Sequence, residues 1–158
     1  MLKKLIIVSG STRLVKEPSS PIPALQRFDG VFMRLIRKYN GKLRGVDILI
    51  VSPVYGSVMA EEEIGFKEPL SGSWRKLVLS NSQLARLRES SLSTLQKLLT
   101  KRHYDEIYVN VGKNMLKIIE GFDETALQKT KITYAQGKGI GPKMSHMKNW
   151  MESIIPST

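Results

Sequence analysis

The chain has 158 residues, 41% of them hydrophobic, and its 25 lysine and arginine residues against 14 acidic ones give a formal net charge of +11. The absence of cysteine excludes disulfide scaffolds, thiolate zinc sites and cysteine nucleophiles, and two histidines are too few for a histidine-rich metal centre, so we expect no metal and no cofactor. No apolar run reaches the roughly 18 residues of a membrane span, and the N-terminal run is too short for a signal peptide, so we expect a single cytoplasmic α/β domain over residues 1–158 with no membrane partner.

The first predicted element is a buried strand from Lys4 to Ser9. Its continuous apolar run is typical of a parallel sheet that is covered on both faces. The segment from Thr12 to Pro23 holds three prolines and three charged residues, which predicts a loop that is long for one domain. A basic amphipathic helix is predicted next, from Gly30 to Tyr39.

A second buried strand is predicted from Val46 to Ser52, where Pro53 and the Tyr55-Gly56 turn end it. A long connection with little helical pattern follows from Ser57 to Ser73. Ser80 or Asn81 is predicted to cap a leucine-rich helix that faces the core. The remaining predicted elements are a strand from Glu106 to Val111, a short helix from Lys113 to Glu120, a strand from Lys131 to Gln136 and a last helix from Pro142 to Ile155.

Strands that alternate with helices predict a three-layer α/β/α sandwich with a four-stranded, mostly parallel sheet. In such sheets, ligands bind beyond the carboxyl ends of the strands. This rule gathers the loops that follow the strands into one predicted site. Those loops are Ser9 to Arg13, Ser52 to Gly56, Gly112 to Asn114, and Gln136 to Lys143.

The glycine-rich loop before the last helix predicts an anion site. Glycines let the backbone approach a ligand closely, and a helix N-terminus adds unpaired N–H groups and partial positive charge. The spacing matches neither the dinucleotide fingerprint nor the Walker loop, and a simple tight turn is the alternative. The candidate phosphate ligands in this loop are Gly137, Lys138, Gly139, Gly141 and Lys143.

Two other loops supply candidate ligands. The hydroxyls of the first loop would bind the same anion and its arginine would clamp it, although the hydroxyls would otherwise only order the loop. The third strand is followed by a lysine and an asparagine. These candidates are Ser9, Ser11, Thr12 and Arg13 in the first loop, and Lys113 and Asn114 after the third strand.

Aromatic residues in the long connections are candidates for contacts with a nucleobase. Tyr55 and Trp74 have rings that stack on bases, and Arg75 would then reach the phosphate beside Trp74. Tyrosine and tryptophan also anchor long loops to a core, and we favour this interpretation for both residues.

Acid–base candidates are few. His146 follows Lys143 by three residues, which places both on one side of the last helix and near the predicted anion site. A surface or core-edge histidine is the alternative. Glu61, in an acidic trio with Glu62 and Glu63, is a candidate general base, and a solvated loop is its alternative.

Five segments carry a family resemblance; they are residues 9–13, 21–24, 28–34, 50–56 and 68–74. They resemble the core domain of archaeosine synthase, which acts on a modified guanine base in transfer RNA, and related small α/β domains of archaea, bacteria and phages. The resemblance implies a fold similar to that of uracil-DNA glycosylases, with nucleic-acid contacts from the loops after the first and last strands. It also makes Lys16, in the segment after the first strand, a candidate catalytic residue. That segment lacks the cysteine and histidine of the synthases. The resemblance therefore implies the position of the site and a nucleobase-like ligand, but it does not imply the reaction.

The expected function is therefore that of a nucleobase-binding domain, associated with nucleic acid and with transfer RNA more than DNA, in base modification or repair. One alternative is a non-catalytic RNA- or DNA-binding module on the basic face of Arg34, Arg37 and Lys38 and the last helix. Another is an enzyme that acts on a free phosphorylated metabolite or nucleotide. A partner protein and a homo-oligomer both stay open.

Overall fold

A five-stranded sheet forms the centre of the molecule in the computed structural model, which describes residues 3–10, 13–67, 80–124 and 130–156, with residue 114 described by its backbone only. The strands are β1 (Lys4–Ser9), β2 (Ile22–Pro23), β3 (Val46–Ser52), β4 (Gly56–Met59), β5 (Glu63–Ile64), β6 (Glu106–Asn110) and β7 (Lys131–Tyr134). The helices are α1 (Ala24–Arg27), α2 (Val31–Asn40), α3 (Asn81–Lys101), α4 (Lys113–Leu116) and α5 (Ile140–Ile154), with a 3-10 turn at Phe122–Glu124.

The strands of the central sheet are ordered β4-β3-β1-β6-β7. Strand β1 pairs in parallel with β3 and β6, so Ile6 lies between Ile48 and Tyr108. Strand β7 continues the parallel sheet beyond β6, whereas β4 is antiparallel to β3 and forms the other edge. The short strands β2 and β5 form a separate antiparallel pair.

The prediction of a four-stranded sheet is wrong by one strand. All four predicted strands form, and the last two end earlier than expected, at Asn110 and Tyr134. The fifth strand, β4, lies where a connection without a strand was predicted. Gly56 has a φ of 74°, and the chain reverses there so that the next residues pair with β3. Four residues of mixed polarity carry too little periodic signal to predict such a strand.

Helices cover both faces of the sheet because the alternating strand residues are apolar on both sides. On one face, Ile6 and Ile50 pack in a core with Ile36 of α2 and Met147 of α5. On the other, the intervening strand residues pack with Leu95 of α3 and with the segment around α4. The expected helix–sheet–helix layering is therefore confirmed.

Helix boundaries differ from the predictions at two places. Helix α5 begins at Ile140 after Gly139, two residues before the predicted start, so Pro142 occupies its third position. Proline is tolerated there because the first-turn N–H groups have no partner within the helix. Helix α4 stops at Leu116 instead of Glu120.

The predicted start of α3 is confirmed. Ser80 accepts a hydrogen bond from the N–H of Gln83, and the Gln83 side chain accepts one from the N–H of Ser80. Across the described ranges, the helices are too short or too polar to cross a bilayer.

Candidate functional site

The strand connections diverge between β1 and β6. Helix α2 carries the chain from β1 to β3 on one face, and α3 carries it back to β6 on the other. In sheets of this kind, such a divergence marks the ligand-binding crevice, at the carboxyl ends of the two strands. The N–H of Gly112 donates to the hydroxyl of Ser9 at 3.0 Å across this opening. The crevice, with Ser9 and Asn110 at its strand ends, is the candidate site.

Asn110 is a polar side chain buried at the end of β6. The residue is 5% exposed and lies under α5, where its Nδ2 contacts the Sδ of Met147 at 3.4 Å. A thioether is a weak acceptor, so the Nδ2 donor of this buried amide lacks a strong hydrogen bond. An amide offers a donor and an acceptor side by side, which suits the edge of a nucleobase.

Asn110 was not among the residues singled out from the sequence. A polar residue at the end of a predicted buried strand was the available signal. It becomes informative only once β6 is known to lie beside the divergence of the strand connections.

His146 is held by Tyr108. Their Nδ1 and hydroxyl oxygen are 2.8 Å apart, and the rings stack at 5.8 Å. Burial raises the pKa of Tyr108, so its hydroxyl keeps its proton. The direction of this hydrogen bond depends on the histidine tautomer: with the imidazole proton on Nε2, Tyr108 donates to Nδ1. In this tautomer His146 offers a hydrogen-bond donor through Nε2 and not a general base.

A network of side chains supports this pair from the opposite side. Tyr108 stacks on Trp150 at 4.6 Å, and the Trp150 indole N–H donates to Glu106 at 3.1 Å. The same carboxylate accepts hydrogen bonds from Thr133 at 2.6 Å and Lys4 at 3.2 Å. Burial alone would raise the pKa of Glu106, but these three donors outweigh burial and lower it. The network thus fixes the packing of α5 on β6 and β7.

The glycine loop is exposed and shaped by its own packing. Gly137 has a φ of 122°, and a Cβ at this position would clash with the Cβ of Pro142. Gly139, the N-cap of α5, has a φ of 85° and no side-chain cap. Lys138 is exposed and Lys143 half-buried, and no carboxylate of the described residues forms an ion pair with either. The first turn of α5 therefore combines free N–H groups with two unpaired cations.

Arg27 organises the loop that contains Lys16. Its fully buried guanidinium donates five hydrogen bonds, at 2.8 to 3.3 Å, to four backbone carbonyls. Those carbonyls belong to Val15, Pro18, Ser20 and Ile64. The exposed Lys16 therefore lies in a loop beside β5, whereas His146 lies over β6. The structure does not bring these two candidates together.

Glu61 lies at the wrong edge of the sheet for the proposed role. Because β4 is antiparallel, it returns the chain to the amino ends of the strands, where the N–H of Ala60 donates to the carbonyl of Ile48. Glu61 follows directly and is exposed. It is therefore separated by the length of the strands from the glycine loop and does not share a ligand with His146.

Tyr55 anchors the segment after β5. Its hydroxyl donates to the carbonyl of Gly65 at 2.7 Å and accepts from the N–H of Lys67 at 3.0 Å. Its ring meets Phe28 edge-on, and the Lys67 ammonium lies 5.3 Å from the ring centre. Both the hydroxyl and a ring face are thus engaged, which favours the loop-anchoring alternative over base stacking.

Two of the remaining candidates are exposed basic residues. Lys113 is exposed at the first position of α4, and Arg13 is exposed, with its carbonyl bound to the N–H of Asp29. Other candidates lie outside the described residues; these are Ser11, Thr12, Trp74, Arg75 and the side chain of Asn114. Within the described ranges, no group of three or more acidic or histidine side chains is arranged to hold a metal.

The basic face predicted on α2 is partly neutralised. Arg34 and Arg37 both pair with Asp29, at 3.0 and 3.2 Å, and Arg37 also donates to the carbonyls of Leu25 and Phe28. The hydrogen bond from Arg34 contributes most to the lowered pKa of Asp29. These arginines hold α1 to α2, which leaves less charge for a ligand.

The crystal structure of AF0587, a protein of unknown function, is similar in fold, with a TM-score of 0.56 and 12% sequence identity. The similarity covers 96% of this chain and 45% of that chain, so this chain spans less than half the length of AF0587. An identity this low shows a shared fold alone. No family model and no curated protein matches the chain.

Proposed function

We propose that this protein binds a nucleobase of a nucleic acid, RNA more than DNA, in the crevice between β1 and β6, as part of base modification or repair. The observation that carries the proposal is Asn110, a buried amide at the end of β6 whose Nδ2 donates only to the thioether of Met147. A buried polar group without a good partner costs free energy, which a base edge with matching donor and acceptor would recover.

The phosphate of the same nucleotide is assigned to the first turn of α5. Met147, which contacts Asn110, is the eighth of the 15 residues of α5, so the base and phosphate positions both lie along the first half of one helix. Lys138 and Lys143 supply the charge, and the formal net charge of +11 favours a polyanion over a neutral ligand.

Of the acid–base candidates, His146 remains near the crevice as a hydrogen-bond donor, since Glu61 lies at the opposite edge. Its Nε2–H would donate a hydrogen bond to an oxygen on the base. Donation to an oxygen that gains negative charge would stabilise a transition state in base modification. The pairing of Arg34 and Arg37 with Asp29 weighs against a binding module on α2.

The test compares two substitutions that add the same charge. Asn110→Asp replaces the buried amide donor by an acceptor, and Asn149→Asp places a carboxylate on an exposed position of α5. Binding to transfer RNA, duplex DNA and mononucleotides is measured by fluorescence anisotropy across a salt series. Asn110→Asp is expected to weaken RNA binding at least about tenfold more than Asn149→Asp, since a mismatched bidentate contact costs about 1–3 kcal/mol.

Asn110→Ala serves as a second variant, and thermal unfolding verifies that each variant is folded. Mass spectrometry of nucleosides before and after incubation detects base modification. Equal effects of the two aspartate substitutions would remove Asn110 from the site. If mononucleotides bind as tightly as RNA at all salt concentrations, the ligand is a free nucleotide and the nucleic-acid proposal fails.

A further inference from the structure

Exposed apolar side chains concentrate at the carboxyl edge of the sheet. Among the described residues, the large hydrophobic side chains that count as exposed are Ile140 at 60%, Tyr134 at 42% and Val31 at 39%. Single exposed hydrophobic residues are ordinary on a protein surface. Here all three lie at the carboxyl edge of the sheet, which holds the candidate site, although this edge is a small part of the protein surface. We call these three residues the apolar shelf.

The shelf is built from two helix starts and one strand end. Val31 and Ile140 are the first residues of α2 and α5, which pack in one core through Met33, Ile36, Met147 and Met151. Both helices run from the carboxyl edge towards the amino edge, so both apolar residues lie at the same end. Tyr134 ends β7, the strand that leads into α5.

Charge around the shelf indicates the kind of partner. Lys138 and Lys143 flank Ile140 and form no ion pair with a described carboxylate. Asn110, buried beneath the middle of α5, has only a thioether as the acceptor for its Nδ2. A partner that fits must therefore carry negative charge and apolar surface next to each other. Unpaired nucleotides present both, whereas a duplex stacks its base faces inside and exposes mainly phosphate.

We propose that the apolar shelf contacts unpaired bases next to the bound nucleotide, which makes the substrate a single-stranded or looped segment of nucleic acid. This inference rests on the proposed function, because it adds a substrate class to the same site. The lysines would hold the backbone while Ile140 and Tyr134 lie against base or sugar surfaces.

The experiment compares Ile140→Ser with the conservative Ile140→Leu. Anisotropy measures the affinity of each variant for a single-stranded RNA oligonucleotide and for an RNA duplex of the same sequence, at two salt concentrations. Ile140 is exposed, so neither substitution threatens folding. Ile140→Ser is expected to weaken single-strand binding about fivefold or more, within the range known for base contacts. Duplex binding and the salt dependence should be unchanged, and Ile140→Leu should retain wild-type affinity.

The outcomes separate the two proposals. If the wild-type protein binds neither RNA, the proposed function fails and the shelf has no ligand. If it binds single strands and Ile140→Ser does so equally well, only the shelf is overturned. An equal loss on single strand and duplex also overturns it. Light scattering is run in parallel, because a dimer that Ile140→Ser dissociates would show that the shelf buries a second copy of the chain.

Discussion

Arg27 carries its charge inside the protein without a carboxylate partner among the described residues. Each of its five N–H donors is bound to a backbone carbonyl, two of them to Ile64. If these donors were removed, the four carbonyls would have to bind water or remain without a hydrogen bond. One side chain therefore defines the loop that carries Lys16.

Arg27→Lys is expected to lower the free energy of unfolding by about 2 kcal/mol, because an ammonium has three donors and cannot match the guanidinium fork. Urea denaturation measures the change. Arg86→Lys, at an exposed position of α3, is the control and should change stability by less than about 0.5 kcal/mol. Equal stability of the two variants would show that the hydrogen bonds from Arg27 to the four carbonyls do not contribute to the free energy of unfolding.

Glu106 should make folding depend on pH. Its pKa is lowered in the folded protein despite burial, so its stabilising effect is present above the pKa of the unfolded chain and is lost as the pH falls through the folded value. Glu106→Gln removes this titration. We expect the variant to be less stable by about 2 kcal/mol at neutral pH, from weakened charge-assisted hydrogen bonds.

The difference between wild type and Glu106→Gln should shrink towards about pH 3, below the ordinary range for glutamate. Denaturant unfolding at several pH values measures it, and the comparison cancels the titration of other groups. A difference that is constant with pH would mean that Glu106 is not charged in the folded protein at neutral pH.

The segment from Gly137 to Gly141, which leads from β7 into α5, requires glycine at one position and only permits it at another. At Gly137, a positive φ coincides with contact against Pro142. Gly141 lies inside α5, and a Cβ there would meet no atom within 4 Å. The two glycines look alike in the sequence, but only the first is required by backbone geometry.

Gly137→Ala is therefore expected to destabilise the protein by about 3 kcal/mol, since it combines backbone strain with a steric clash. Gly141→Ala is the matched control and should stabilise it by about 0.5 kcal/mol through helix propensity. Thermal denaturation of both variants measures the contrast. If both glycines tolerate alanine equally, the turn is not held against Pro142.

For the whole molecule, the two ends of the sheet differ in charge balance. At the amino ends, Asp47 is paired with Arg102, and Asp105 and Glu106 are paired with Lys4. At the carboxyl ends, Lys113, Lys138 and Lys143 have no ion pair with a described residue. The helix N-termini of α2 and α5 add partial positive charge at that end, so an anion is attracted more strongly there.

Replacing Lys138 and Lys143 together by alanine should weaken nucleic-acid binding and reduce the slope of log affinity against log salt by about 1.5. Replacing Lys42 and Lys101, exposed cations at the amino ends, should leave the slope nearly unchanged. Titrations at four or more salt concentrations measure both slopes. A larger effect of the Lys42 and Lys101 variant would place the nucleic acid at the opposite edge.

The long apolar strands and the amphipathic helices were predictable because their signal is local. Strands β1 and β3 form over the predicted residues, and Ser80 caps α3, since burial on both faces or on one stripe leaves a periodic pattern in the chain. Strand β4 was missed because its four residues form a strand only through pairing with β3.

The candidate site was predictable only in part, for a related reason. The rule that ligands bind beyond the strand ends led to the glycine loop and to His146, and the prediction that they contact a ligand stays a prediction. Asn110 was missed because a single asparagine has no pattern. Glu61 was grouped with the site because the antiparallel direction of β4 was not foreseen.

The α/β class, the parallel core strands and the basic character of the protein follow from the order and composition of its residues, since propensity, periodicity and net charge are sums over neighbouring residues. Which side chains meet depends on the packing of the folded chain. The fold has three such consequences. It paired Tyr108 with His146, enclosed Arg27 in carbonyls, and separated Glu61 from the glycine loop. Such contacts depend on the order and direction of strands, which long-range packing selects and no local pattern encodes.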